Sequence, residues 1–209
     1  MFDIDGTLVQ SYQFDEDCFL DAVKAVTGLN VLKNWETYEH MSDRGILQTF
    51  IQRQAKHLTL EELEPQVKAI FIENIKAYVN HHPVKEVKGA IEFFNYSQAR
   101  QDVIVSIATG GWRETALIKL ESAGFAINNI VMASSNDHHS RIQIMQLAAK
   151  KATDQASLPD AYFGDAAWDV TACDELGVNA IIVGNRVEHP QQIKDFTNKQ
   201  AILMLLGRL

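Results

Sequence analysis

The 209-residue sequence has only two cysteines, Cys18 and Cys173, far apart and in no metal-ligand spacing. Neither a disulfide framework nor a zinc site is indicated, and a reducing compartment fits best. Proline and glycine are not over-represented, at 4 and 11 residues, while 46 % of the chain is apolar; this argues against disorder and for a folded chain. No basic stripe or lysine-arginine cluster is present and the formal charge is -8, which disfavours nucleic acid and anionic membrane as partners. The N-terminus reaches charged residues at once, without an apolar signal segment. The longest apolar run, residues 201–206, is too short to cross a bilayer. A cytoplasmic protein with a small-molecule partner is therefore expected. If that partner is phosphorylated, a metal ion or local donors must reverse the acidic field at the site.

The length suits a core domain of ordinary size plus a small accessory one. From residue 14 to 79 apolar residues recur at helical spacing, as in Phe14, Cys18, Phe19 and Val23, or Leu63, Val67, Ile70 and Phe71. Ser42 or Asp43 is a candidate cap for the second helix of this block. Thr59 with Glu62 forms a candidate capping box for the third, although Pro65 could push that start later. His81-His82-Pro83 ends the block. Beyond it, short β-rich runs at 103–107, 130–132, 161–163 and 180–183 alternate with helical ones, the pattern of a parallel sheet covered on both faces. The intervening helices are expected at 113–123, after Ser140 with Gln143 as a capping box, and at 169–176. Residues 201–206 read equally as a last strand or a buried helix. The division expected is 1–12 core, 13–82 helical, 83–209 α/β core.

Four segments carry candidate chemistry, each at the carboxyl end of an expected strand, where ligands bind in open α/β sheets. Asp3 and Asp5 flank one isoleucine, so their carboxylates converge while Gly6 lets the chain turn. Converging carboxylates repel unless a cation lies between them, and oxygen ligands suit magnesium. Only Met1 and Phe2 precede this motif, so the first strand is expected to be short or to lack a lengthening segment. In Ser106-Ile107-Ala108-Thr109-Gly110-Gly111, a hydroxyl and bare amides gather before a helix that adds favourable potential for an anion. Arg141 opens the helix after Ser140, where a cation is not favoured by the dipole; it can grip two phosphate oxygens. Lys150 and Lys151 are alternatives, late in the same helix. Gly164-Asp165-Ala166-Ala167-Trp168-Asp169 ends a strand with two aspartates, which are expected to stack on one helical face.

In this order, Asp3-Ile4-Asp5-Gly6-Thr7-Leu8-Val9, Ala108-Thr109-Gly110-Gly111 and Gly164-Asp165-Ala166-Ala167-Trp168-Asp169 resemble the motifs of the haloacid dehalogenase superfamily, and the resemblance covers essentially the whole chain. It is closest to the phosphatase branch with a helical cap between the first and second motifs, phosphoglycolate phosphatase-like in layout. It implies an α/β fold, a Rossmann-like parallel sheet core with a small all-helical cap domain.

The resemblance further implies that Asp3 attacks phosphorus to give an aspartyl-phosphate, and that Asp5 protonates the leaving oxygen and then activates water, roles open to positioned carboxylates. Mg²⁺ would be held by Asp3, the Asp5 carbonyl and Asp165, with Asp169 acting through water or behind the ligands. Thr109, Gly110 and Arg141 would bind the phosphoryl oxygens, Arg141 standing where the family usually has lysine. Asp43, Arg44 and Gly45 are candidates for substrate contact from the cap; a helix cap followed by a solvated arginine accounts for them equally. Carbon-halogen cleavage has no need of the acid that Asp5 supplies. A phosphonatase, using a Schiff-base lysine such as Lys24 or Lys33, a phosphomutase, and a non-catalytic binding module are the competing readings.

Overall fold

The computed structural model describes residues 1–153 and 157–207. Two layers pack together, one helical and one α/β. The helical layer holds α1 (Tyr12–Thr27), a single 3₁₀ turn (Trp35–Thr37), α2 (Asp43–Gln54) and α3 (Leu60–His81). The α/β layer follows with α4 (Ala90–Ala99), β1 (Ile107–Ala108), α5 (Arg113–Ser122), β2 (Met132–Ala133), α6 (Arg141–Ala152), β3 (Ala161–Gly164), α7 (Ala167–Leu176), β4 (Asn179–Val183), β5 (Gln192–Ile193) and α8 (Lys199–Leu205). No helix among the described residues is long and apolar enough to cross a membrane.

The parallel sheet runs β2-β1, then the segment at Phe2, then β3-β4-β5. The first segment is short, as expected, yet it sits at the centre. Phe2 donates to the Ser106 carbonyl at 2.9 Å and accepts from Ala108 N–H at 2.9 Å, while Asp3 donates to Phe163 at 2.8 Å on the other side. Its side chain stacks on Phe163 with ring centres 4.7 Å apart and meets Phe93, Phe94 and Phe196. The run at 103–107 was expected to be a full strand, but only Ile107 and Ala108 enter a ladder and Ile104 is 63 % exposed. The central segment pairs with it only from Ser106 onward, so the earlier residues have no inner neighbour strand.

Local chemistry explains most helix boundaries. Ser42 accepts from Gly45 N–H at 3.1 Å, which makes Ser42 the cap and Asp43 the first helical residue of α2. The Thr59–Glu62 box is formed in both directions, and Pro65 does not delay α3. The box satisfies first-turn donors, and the proline forfeits only one bond. The Ser140–Gln143 box does not form: Ser140 makes no side-chain cap, and its N–H donates to His138 Nδ1 at 3.0 Å instead. The ambiguous run at 201–206 lies in α8, capped by Asn198, whose Oδ1 accepts from Ala201 N–H at 3.0 Å.

The two layers meet around Trp112. This residue precedes α5 but is fully buried with Phe19 and Phe71 of the helical layer, each ring centre 6.0 Å away. Two chain crossings join the layers side by side, through an antiparallel bridge between Val9 and Glu86.

Because Phe2 carries both the central pairing and the aromatic cluster, Phe2→Ala should cost about 3–5 kcal/mol, the range for a large buried aromatic. Ile104→Ala should stay within about 0.5 kcal/mol. Urea denaturation of the two variants checks the contrast.

Candidate active site

The first motif turns as the sequence requires. Gly6 has φ +81° and lies so close to the Asp165 carboxylate that any side chain would collide with it. Asp3, Asp5 and Asp165 thereby face one cavity of about 100 Å³, whose wall also includes Thr109, Gly110, Gly111 and Arg141. Thr109 is 1 % exposed, and its hydroxyl accepts from Gly111 N–H at 3.2 Å. The amides of Gly110 and Gly111 approach the start of α5, where a helix N-terminus favours an anion.

Arg141, the first residue of α6, reaches inward as an arginine at a helix N-terminus would have no surface reason to do. Its Nη1 lies 3.4 Å from Asp3 Oδ1, 3.3 Å from Asp169 Oδ1 and 3.1 Å from the Tyr162 hydroxyl. Its Nε is buried and has no hydrogen-bond partner, which leaves a donor for an incoming oxygen. Neither alternative lysine reaches the site. Lys150 is exposed, and Lys151 donates to Asp137 at 2.6 Å.

Asp165 and Asp169 do not stack on one helical face. Asp165 lies before α7, in the turn, and Asp169 folds back so that its Oδ2 accepts from the N–H groups of Asp165 and Ala166, both at 3.1 Å. Gly164 permits this, since a Cβ there would come within 2.6 Å of the Asp169 carboxyl carbon. Asp169 therefore orients the turn and Arg141, while Asp165 presents its carboxylate to the cavity.

Asp3, Asp165 and Asp169 offer oxygens that all lie within 4.8 Å of one another, and all three residues are buried. Burial pushes the Asp165 carboxyl up to about 6, Asp169 adds to the rise, and the Arg186 guanidinium opposes it. Burial likewise raises Asp3 well above the ordinary carboxylate range, with Arg141 pulling against it and Asp169 and Asp165 adding to it. An all-oxygen, crowded and desolvated donor set of this kind fits a small hard dication.

Two participants escaped the sequence reading. Lys119 is fully buried, with Nζ 2.5 Å from Asp5 Oδ1 and 2.5 Å from Asp15 Oδ1 of α1. Burial favours its neutral form, but Asp15 and Asp5 outweigh that and hold it charged. Its signal was a lysine on the buried face of α5, beside Ala116 and Leu120. One ammonium serves several acids: burial still pushes Asp15 up to about 6, and Ser11 donates a short hydrogen bond to the same Asp5 oxygen. The other is Arg186, which follows β4. It donates to Asp165 and stacks over Tyr12 at 3.6 Å; a charged residue just beyond a strand's carboxyl end was the available clue.

From the helical layer, Asp43 lines the cavity, but Arg44 does not. Arg44 Nε pairs with Glu64 at 3.1 Å, while its N–H donates to Ser135 at 2.9 Å. Asp43 N–H donates to the Gly110 carbonyl at 2.8 Å, and its Oδ2 accepts from Trp112 N–H at 2.7 Å. Burial, then the neighbouring Asp15, raise its carboxyl well above the ordinary range. Gly45 packs against the His40 carbonyl.

The sequence profile of the haloacid dehalogenase-like hydrolases matches residues 1–183. The chain belongs to that family. Among solved structures, a hydrolase from Pseudomonas syringae is similar at 22 % identity, with 87 % of this chain and 82 % of that one covered and a TM-score of 0.68. CbbY from Rhodobacter sphaeroides, in complex with phosphate, matches at 16 % identity over 99 % and 97 % of the two chains, with a TM-score of 0.72. A β-phosphoglucomutase from Clostridium difficile matches at 12 % identity over 99 % and 95 %, with a TM-score of 0.71. These likenesses establish the shared fold. No curated protein matches the chain.

Lys119→Met should leave Asp5 and Asp15 buried without their cation and cost about 3–5 kcal/mol in chemical denaturation. Adding Asp15→Asn should recover a substantial part of the loss, a coupling that a double-mutant cycle measures.

Proposed function

We propose that this haloacid dehalogenase-like hydrolase is a magnesium-dependent phosphatase that cleaves a small phosphate monoester through an aspartyl-phosphate on Asp3. The observation that carries the reading is convergence. Asp3, Asp5, Thr109, Gly110, Arg141 and Asp165, drawn from four separate strand ends, line one cavity.

Asp3, Asp165 and the Asp5 carbonyl would hold Mg²⁺, which when bound supplies positive charge against the phosphoryl oxygens. Thr109, the Gly110 amide and the free Nε of Arg141 receive the remaining phosphoryl oxygens, so that negative charge redistributing in the transition state meets fixed donors. In the first half-reaction an Asp3 oxygen bonds to phosphorus and the bond to the leaving oxygen breaks, with Asp5 delivering the proton. In the second, water loses a proton to Asp5 and attacks phosphorus, and the Asp3–phosphorus bond breaks to restore the carboxylate. Lys119 and Ser11 keep the Asp5 carboxyl oriented through both steps. Arg141 pairs with Asp3 and Asp169, as a cation at this point must when three acids crowd it.

No lysine of the helical layer lines the cavity. Lys24 is exposed, and Lys33 is held by Glu16 at 2.8 Å with its side chain 54 % exposed. The Schiff base that a phosphonatase needs therefore has no candidate in place, which favours the phosphatase reading.

With Mg²⁺, the purified protein should release phosphate from small esters near neutral pH, and chelation should stop it reversibly. Asp3→Asn should lower turnover by on the order of a thousandfold or more with an unchanged circular dichroism spectrum and melting temperature. Undiminished turnover by that folded variant would overturn the assignment.

A further inference from the structure

The cavity has two ends with different chemistry. Asp3, Thr109, Gly110 and Arg141 form the floor that receives phosphate in the reading above, and Asp5 stands between floor and roof. The roof comes from the helical layer and includes Asp15, Glu16 and Asp43 beside Phe19, Trp35 and Ile46. Three of its nine residues carry carboxyl groups, and no lysine, arginine or histidine accompanies them. Among the described residues Arg141 is the single cation in the cavity wall, and its Nη1 is committed to Asp3 and Asp169 at the floor.

The cations nearest the roof do not face the ligand. Lys119 lies beneath the wall with no exposure and is shared by Asp5 and Asp15. Lys33 sits outside, on Glu16, whose other oxygen accepts from Trp35 Nε1 at 3.2 Å. Arg44 is turned to Glu64, and Arg186 to Asp165. Asp43 has a backbone donor, Trp112 N–H, and among the described residues its nearest electrostatic counter-charge is the buried Lys119, which forms no direct ion pair with it. A second phosphate or a carboxylate on the substrate would thus meet acceptor oxygens and no cation facing it, which leaves its own charge unpaired. An ammonium there would find acceptors for its N–H groups and, in Phe19 and Trp35, aromatic faces that attract cations.

Size narrows the choice. A cavity of about 100 Å³ is several times the roughly 10–15 Å³ that admits one water, the scale of a small ester rather than a large one.

Building on the phosphatase reading, we infer that the substrate is a short alcohol phosphate whose leaving group carries a positive charge, an amino-alcohol phosphate, and that anionic esters and bisphosphates are rejected by the roof. The reaction is hydrolysis of the P–O bond with water as acceptor, releasing the amino alcohol and inorganic phosphate.

The test uses three two-carbon esters that differ only in the far group: 2-aminoethyl phosphate, 2-hydroxyethyl phosphate and phosphoglycolate. With Mg²⁺, kcat/KM should fall in that order, by about tenfold or more between the first and the last. Binding of the same esters to Asp3→Asn in the presence of Mg²⁺ should follow the same order. Glu16→Gln, which removes a roof charge and keeps one acceptor oxygen for Lys33 or Trp35, should narrow the ammonium-to-carboxylate ratio. Phosphoglycolate turned over or bound as well as the amino ester, or no measurable binding of any of the three, would overturn the inference. Ordered binding without phosphate release from any ester would support it and instead contradict the phosphatase reading.

Discussion

Three buried carboxylates, Asp3, Asp165 and Asp169, bring oxygens within 4.8 Å of one another, and much of the surrounding architecture answers their repulsion. Desolvating even one carboxylate is expensive, and three in one place require compensation from fixed partners. Arg141 touches two of them and Arg186 the third. Two backbone amides neutralise one oxygen of Asp169. Burial still holds the Asp3 and Asp165 carboxyls above their ordinary range despite these partners. A donor set in that condition suits a dication, and under the proposed function the added charge would let an acidic protein receive phosphate.

Compensation of the same kind recurs one layer up. Asp5 and Asp15 come from different layers of the fold and meet on Lys119, so the ion pair ties the Asp5 carboxyl to the first helix of the roof. Trp112 does the same with apolar contact, and Asp43 links its own backbone to Gly110. The roof is consequently held against the Thr109–Gly111 loop by groups that also line or support the cavity. Any motion of the helical layer must break a buried ion pair as well as bury or expose apolar surface, which couples access to the site with the orientation of Asp5.

Much of this was legible in the sequence. The helical block and the later strand-helix alternation follow from periodicity, and Thr59–Glu62 and Ser42 mark helix starts because capping is a local interaction. Asp3, Asp5, Thr109, Arg141 and Asp165 could be assembled because strand carboxyl ends converge in any open parallel sheet. What could not be read depends on contacts distant in the chain. Lys119 is 114 residues from Asp5, and nothing local announces their meeting. Whether Arg44 faces the cavity or Glu64 depends on how α2 packs on α3, which spacing within α2 does not determine. Strand lengths were overestimated at 103–107 because a strand ends where its neighbour does, and α4 and β5 had too little periodic signal to separate from loop.

In the proposed reaction phosphorus passes through Asp3. Protein mixed with a turned-over phosphate ester and Mg²⁺ is quenched in acid within a single turnover and reduced with borohydride, which converts an acyl phosphate to an alcohol. Peptide mapping is predicted to find homoserine at position 3. Steady phosphate release with no such product, or with the product at any other aspartate, would contradict the account.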